Sequence, residues 1–591
     1  MLVFYDFEIF KYNWLVVLIE PLTGTKTVIV DDRNKLIEFY ENHKKDIWIG
    51  YNSRSYDQYI LKAILCGFNP KDINDWIIVR GSKGWEFSSL LKKYPVYNYD
   101  CMPKGYGLKQ LESFLGNDIK ETSVPFDIDR PLTAAEIAET IKYCTHDVEQ
   151  TMIVFLANKA DFDAHLDMLK TFNLPINNIS KTQAQLSALA LGCTRQEHYD
   201  EWSYSFVDTL RIEKYKDIVK WFKDQQVDRD YNANLITEVC GIPHVFGWGG
   251  LHGAPGTIKI KKDGKKEIKG TPIHRKGLIL HVDVTSFYPS IMIEYDMLSR
   301  NVKDKSVYKK IYDTRVALKK AGKEKEQAPY KIILNSTYGI CKDQFNPAYD
   351  PRRANEVCIN GQLLLLDLLE HLEGHCELIQ SNTDGLIIKI PDTDAAFNKI
   401  DDICYEWESR TRMSLGFDII DYIYQKDVNN YVFHFTDIEE NGRKAGKLER
   451  KGKYVKPLND LDYDLAIVNR ALVDYMVKGV PVETTINECD EMRDFQKVVK
   501  VSNKYLYGQH NGQKLNDKTF RVFASRNKSD TEIHKIKDKN GVLTPEKFAD
   551  TPEHVFIENG DINGVKCPNK LDKQYYIELA KKRLQDFGVT I

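Results

Sequence analysis

No stretch of this 591-residue chain approaches the roughly 20 consecutive apolar residues that a membrane-spanning helix requires, and the opening MLVFYDFEIF has neither a basic n-region nor a signal cleavage site. A membrane span and export are therefore not expected, and the chain is expected in the cytoplasm of the cell that makes it. The 11 cysteines include no CxxC pair and follow no regular framework, which argues against a zinc ribbon or a disulfide scaffold and for reduced thiols. Internal repeats and low-complexity tracts are also absent. Lys and Arg number 83 against 86 Asp and Glu, a net charge of -3, so bulk charge points to no polyanionic partner.

What is present fits a soluble globular chain of several domains, because 591 residues exceed what one ordinary core organises. Charge is concentrated locally. KIKKDGKKEIKG at 259–270 and GRKAGKLERKGKYVK at 442–456 are basic clusters, readable as solvated hairpins or as phosphate contacts.

Three stretches carry chemistry in the middle of the chain. Residues 277–290, GLILHVDVTSFYPS, run apolar as far as Asp283 and then turn, which predicts a buried strand ending in a carboxylate, with Pro289 in the first turn of a following helix. In ELIQSNTDGLIIKI two apolar segments flank Asn382-Thr383-Asp384-Gly385, a hairpin with an acid at its tip. KIILNSTYG between them sets Lys331, Asn335 and Tyr338 on one helical face. Two acids at strand ends beside a basic, polar and aromatic helix describe a site for a metal-bound polyphosphate. The preceding YKKIYDTRVALKKAGKEKEQAPY predicts an antiparallel helix pair with a charged tip, with Arg315 and Lys319 on one helix and Lys331 and Asn335 on the other. Their converging cations suit a triphosphate.

The N-terminal region holds a second acidic group. MLVFYDFEIF reads as a strand whose alternation puts Asp6 and Glu8 on one face, able to share a divalent cation; a solvated strand edge is the plain alternative. IWIGYNSRSYDQYILK runs from a strand through Asn52 to Asp57. PLTAAEIAETIKYCTHDVEQT opens with Thr133 and Glu136 as a capping box and continues as a helix with Tyr143 and Asp147 on one face. Four acids and a tyrosine from two strands and a helix match what two-cation phosphodiester hydrolysis needs. FGWGGLHG at 246–253 is dense in glycine, which permits close backbone approach.

DVTSFYPS, KIILNSTYG and NTDG, in that order, resemble motifs A, B and C of the family B DNA polymerases, and the N-terminal acids resemble the three exonuclease motifs of the DEDDy proofreading nucleases. The motifs span roughly residues 1–455. The resemblance implies an α/β multidomain fold, with a ribonuclease H-like exonuclease domain (1–185), a helical connection (186–245), and a right-hand polymerase. Its palm would comprise 246–296 and 346–440, its fingers 297–345, and its thumb and C-terminal region 441–591. It implies a compact phage or plasmid enzyme, monomeric, working on primer-template DNA with dNTPs and replisome proteins.

Residue by residue, the resemblance implies that Asp283 and Asp384 hold two Mg²⁺ ions, with Mn²⁺ as an alternative, and that the Val284 carbonyl completes a coordination shell. Ser286 and Phe287 offer amides to the incoming dNTP, and Tyr288 is the steric gate against a ribose. Arg315 and Lys331 contact the triphosphate, while Asn335 and Tyr338 pack on the nascent base pair. In the exonuclease site Asp6, Glu8, Asp57 and Asp147 are metal ligands, Tyr143 orients the attacking water, and Asn52 meets the frayed primer end. Lys120 stands where some phage relatives carry an assisting lysine, or is a surface lysine. Gly249 and Gly250 match the YxGG template loop, although Gly247 replaces its tyrosine. Tyr431 matches the tyrosine of the KxY motif, with Asn429 in place of the lysine, and Lys451 and Lys453 lie on a basic arm suited to primer phosphates. Motif C departs from the family DTD at its first position, Asn382, which retains the metal-binding acid Asp384 but lowers local negative charge. The short intervals between motifs favour nucleic-acid priming. A protein-primed replicase, and an exonuclease whose polymerase half is a binding scaffold, are the alternatives.

Overall fold

The computed structural model describes residues 1–436 and 446–590; the start of the basic cluster at 442–456 lies outside the described residues. The chain divides into two units. One comprises 1–181, 458–467 and 486–576, the other 182–457, 468–485 and 577–591.

The first unit is built on a five-stranded sheet in the order Thr25–Val30, Trp14–Glu20, Leu2–Ile9, Ile47–Gly50, Tyr97–Asp100. The first three strands pair antiparallel, whereas Leu2–Ile9 and Ile47–Gly50, and then Ile47–Gly50 and Tyr97–Asp100, pair parallel. Parallel central strands are covered on both faces, and Leu2–Ile9 is accordingly buried along nearly its whole length despite carrying two acids. Trp48, fully buried, meets the Tyr5 ring edge-on at 5.4 Å in the core of this sheet. The long helix Ala134–Ala157 starts at a reciprocal cap: the Glu136 amide donates to Thr133 Oγ1 (3.3 Å) and the Thr133 amide to Glu136 Oε2 (2.8 Å).

In the C-terminal region, expected from 441 onward as a thumb and C-terminal region, residues 486–576 group with 1–181 and carry two small antiparallel sheets. One sheet orders Lys497–Lys500, Thr519–Ala524 and Val555–Ile557; the other orders Gln513–Leu515, Tyr507–His510, His534–Lys539 and Val542–Lys547. Asn511-Gly512 and Asn540-Gly541, all four at positive φ, close tight hairpins of this second sheet, the turn chemistry that Asn-Gly favours.

Arg521, on the strand Thr519–Ala524, is fully buried. Its guanidinium donates to the carbonyls of Glu558 (3.2 Å), Gly560 (2.7 Å), Ser113 (3.2 Å) and Asn117 (2.8 Å). Ser113 and Asn117 lie at the C-terminal end of the helix Leu108–Leu115, where carbonyls lack intrahelical partners and attract a cation. Arg493 and Gln496 add bonds to the Phe114 carbonyl at 2.9 and 3.2 Å. The C-terminal strands are thereby bonded to the end of a helix some four hundred residues earlier.

The second unit centres on a nine-stranded, wholly antiparallel sheet ordered Leu448–Lys451, Asn430–Phe435, Leu415–Asp427, Ile273–Val284, Gly385–Lys389, Glu377–Asn382, His252–Gly253, Ile242–Phe246, Leu235–Val239. The segment expected as a helical connection, 186–245, thus also supplies edge strands to this sheet. The helix Pro351–Leu372 is buried almost throughout, and its polar side chains find partners: Asp367 pairs with Arg410 at 2.7 Å, and Asn360 Oδ1 accepts from the Val207 amide at 2.9 Å. Lys305–Lys320 and Glu324–Lys342 form the helix pair, turning at Gly322 with φ 69°.

Replacing Arg521 by Met should leave four carbonyls without their donor and destabilise the first unit by about 3 kcal/mol. Hydrogen exchange across 108–117 reads this directly. Unchanged protection there would show that the guanidinium does not hold the segment.

Candidate functional site

In the first unit four of the expected acids converge. Strand alternation puts Asp6 and Glu8 on one face of Leu2–Ile9, and ligand atoms of Asp6, Glu8 and Cys144 lie within 4.8 Å of one another. Asp57 opens the helix Asp57–Cys66, 3% exposed, and accepts from the Phe7 amide at 3.3 Å. Asp147 and Tyr143, one turn apart on Ala134–Ala157, face the same place and are hydrogen-bonded to each other. Burial first, then repulsion from Asp57, Glu8 and Asp147, pushes Asp6 well above the ordinary carboxylate range; burial, Asp147 and Asp57 do the same to Glu8. Burial raises Asp57 to about 7.

The lysine at this site is Lys109, which the sequence reading did not single out. Its Nζ reaches Asp147 Oδ1 at 2.5 Å and Glu112 Oε1 at 3.1 Å, and it sits 4.9 Å from the centre of the Tyr143 ring. Burial lowers its pKa, but Asp147 and Glu112 outweigh that and hold the ammonium above its ordinary value. Lys120 is not brought to the acids: it is exposed and pairs with Asp118 at 2.9 Å. Asn52 stands exposed with φ 58° in the turn before Asp57. The donor set fits hard cations. Four carboxylates crowd together with one lysine, a charge deficit that divalent ions relieve, and burial keeps the nearby Cys144 thiol strongly protonated and so a poor ligand.

In the second unit Asp283 and Asp384 are brought together by strand pairing. Asp283 lies opposite Gly385 in the register of Ile273–Val284 and Gly385–Lys389, and the Val284 amide donates to the Asp384 carbonyl at 2.7 Å. A Cβ on Gly385 would lie 2.9 Å from the Val282 carbonyl, so only glycine permits this approach. Asn382, Thr383, Asp384 and Gly385 form the hairpin tip, with Thr383 at φ 44°. A cavity of about 180 Å³ is lined by Asp283, Asn382, Asp384 and Tyr431, together with His281 and Glu449, which the sequence reading passed over. Asn382 hydrogen-bonds His252, whose pKa burial lowers, so the first position of the hairpin tip holds a neutral pair. Tyr431 is pushed up to about 12 by burial, Glu449 and Asp384.

Tyr288 lies close enough to Asp384 to feel its charge, and other expected residues of this unit contact one another. Arg315 Nη1 donates to Ser286 Oγ at 2.7 Å, Ser286 itself standing at φ 50° just before the helix Phe287–Glu294. The Tyr288 and Tyr338 rings meet edge-to-face at 4.8 Å, and Gly361 leaves room for Tyr288, since a Cβ there would come within 3.1 Å of its ring. Lys331 and Asn335 are exposed one turn apart on Glu324–Lys342, and Phe287 is buried. Gly250 abuts the acid turn so closely that a Cβ would overlap Thr383, and Leu251 accepts from the Thr383 amide at 2.8 Å; Gly249 is exposed, its carbonyl held by Gln362 at 3.0 Å. Lys451 pairs opposite Tyr431, its ammonium 5.9 Å from the ring centre, and Lys453 is exposed. The two acids and the Asn382 amide are oxygen donors suited to Mg²⁺ or Mn²⁺.

No protein-family model and no curated protein matches the chain. Among solved structures, the family B DNA polymerase from the hyperthermophilic archaeon Pyrobaculum calidifontis is similar across 100% of this chain and 78% of its own, with 15% sequence identity and a TM-score of 0.40.

The buried acids should make stability depend on pH and on cations together. Asp57 has a folded-state pKa of about 7 against 3.8 ordinarily, so its protonated form favours folding, and that stabilisation is lost as pH rises from about 4 through 7. In chelator, Asp57→Asn should exceed the parent in stability at pH 8 by on the order of 3 kcal/mol, with the gap narrowing toward pH 5. Added Mg²⁺ should stabilise the parent selectively. Thermal melting at the two pH values checks this, and a difference independent of pH would show that Asp57 is not held protonated.

Proposed function

We propose that this chain is a DNA-templated, nucleic-acid-primed family B DNA polymerase carrying its own 3'-5' exonuclease, serving replication of a phage or plasmid genome. The observation that carries this reading is the convergence of three separated motifs: Asp283 and Asp384 on paired strands, Tyr288 against Tyr338, and Arg315 on Ser286. In this reading the nine-stranded antiparallel sheet is the palm and the helix pair 305–342 the fingers. The mixed five-stranded sheet in the first unit supports a ribonuclease H-like exonuclease domain.

When bound at each site, two divalent cations, Mg²⁺ or Mn²⁺, would activate the attacking oxygen and neutralise the leaving group. Asp283 and Asp384 would hold them in the polymerase site, with Asn382 and the Val284 carbonyl as neutral oxygen donors. Arg315 fixes the Ser286 turn whose amides face the triphosphate, while Lys331 on the exposed helix face offsets phosphate charge. Tyr288, wedged by Tyr338 and given room by Gly361, cannot swing aside for a 2'-hydroxyl, which selects deoxynucleotides. In the exonuclease site Asp6, Glu8, Asp57 and Asp147 would hold the cations, and Tyr143, tied to Asp147, would orient the water. Lys109 fixes Asp147 against the buried Glu112.

Asp283→Ala should abolish extension of a recessed primer by at least about a thousandfold while leaving degradation of single strands intact, and Asp6→Ala combined with Glu8→Ala should do the reverse. Gel assays with and without dNTPs distinguish them. Loss of both activities in either variant would overturn the assignment of separate sites. Tyr288→Ala should raise ribonucleotide incorporation by about tenfold or more, read from alkali-labile product, and unchanged sugar selection would remove the gate.

A further inference from the structure

The first unit holds a cavity of about 500 Å³ that reaches beyond the acids themselves. Its floor includes Asp147, Tyr143 and Lys109; its walls include Phe126 from the 117–130 segment and, from the C-terminal strands, Lys500 and Lys518. Both lysines are exposed. Lys500 Nζ stands 3.4 Å from Gln110 Oε1, beside the start of the helix that carries Lys109. Phe126 is 44% exposed, yet its ring is stacked on buried Phe10 at 5.1 Å with an 18° interplanar angle. One face of the ring is thus backed by the core and the other is open, a preformed stacking platform. Glu121, the other carboxylate on the wall, is engaged by the Lys518 amide at 2.9 Å.

We propose that this cavity is a single-strand subsite in which Lys500 and Lys518 hold the phosphodiester backbone of a 3' end while Phe126 stacks on one of its unpaired bases. Cations along a groove and an aromatic platform are the combination that binds single strands irrespective of sequence, and base stacking on a side chain requires an unpaired base. The proposal deepens the exonuclease reading and rests on it. It assigns to the C-terminal strands a part in the N-terminal site: they deliver the strand whose terminal phosphodiester meets the acids.

The test uses the full chain in chelator, with a fluorescein-labelled oligothymidylate bearing 5-iodouracil at its 3' end. Irradiation should crosslink the probe to the peptide containing Phe126. In anisotropy titrations Lys500→Ala with Lys518→Ala should weaken binding about tenfold at low salt and reduce the slope of log affinity against log salt by about 1.4, some 0.7 for each phosphate contact. Phe126→Ala should weaken binding about tenfold with the slope unchanged. Lys528→Ala with Lys539→Ala, exposed in the same C-terminal region but outside the cavity, should change neither. Crosslinking elsewhere, or an unchanged affinity and slope in the Lys500 and Lys518 variant, would overturn the subsite. If wild-type protein with Mg²⁺ still shortens the oligonucleotide, that result leaves the exonuclease reading standing. Crosslinking at Phe126 without any shortening would overturn the exonuclease reading and retain the subsite.

Discussion

Four buried carboxylates, Glu8, Asp57, Asp147 and Glu112, and the half-buried Asp6 gather around the Lys109 ammonium, and the architecture of the first unit answers that constraint. Like charges out of water repel far more than at a surface, so such a group persists only where rigid elements hold it and where protons or cations compensate. The strand Leu2–Ile9 holds two of the acids, the start of the helix Asp57–Cys66 a third, and the capped helix Ala134–Ala157 a fourth. Lys109 is delivered by a short helix whose far end is bonded to Arg521. A bond network at one end of eight residues therefore helps position the counter-charge at the other.

Much of this was legible locally. Alternation alone set Asp6 and Glu8 on one face, the Thr133 and Glu136 spacing marked where the long helix begins, and Asn382-Thr383-Asp384-Gly385 declared its turn. Lys109 and Glu112 were not legible, because a lysine and a glutamate three apart on a helix most often form a solvated surface pair. Only the tertiary packing buries them. Arg521 was hidden for a related reason: in KTFRVFAS an arginine reads as the solvent side of an alternating strand, whereas here the strand Thr519–Ala524 is covered on both faces. The C-terminal sheets did carry a local signal, two Asn-Gly turns, in Asn511-Gly512 and Asn540-Gly541.

The second unit solves a different problem by backbone geometry. Its two acids lie a hundred residues apart in sequence and meet because Gly385 lets one strand approach the other without a side chain between them. Gly250 and Gly361 do the same for the acid turn and for Tyr288. Three glycines thus set the clearances of the site, and each is explained by what it abuts rather than by flexibility. The neutral Asn382 and His252 pair leaves Asp283 and Asp384 as the acids of the expected set, with Glu449 lining the same cavity.

The first unit is discontinuous, with some 300 residues of chain between 181 and 486. At ribosomal speeds of about 5–20 residues per second, Arg521 follows the end of the N-terminal segment by roughly 20–70 s. For that interval the carbonyls of Ser113 and Asn117 have only water, and the wall carrying Lys500 and Lys518 does not exist. The portion of the protein made first is completed last, so the five-carboxylate centre spends its early life as an open, half-built surface.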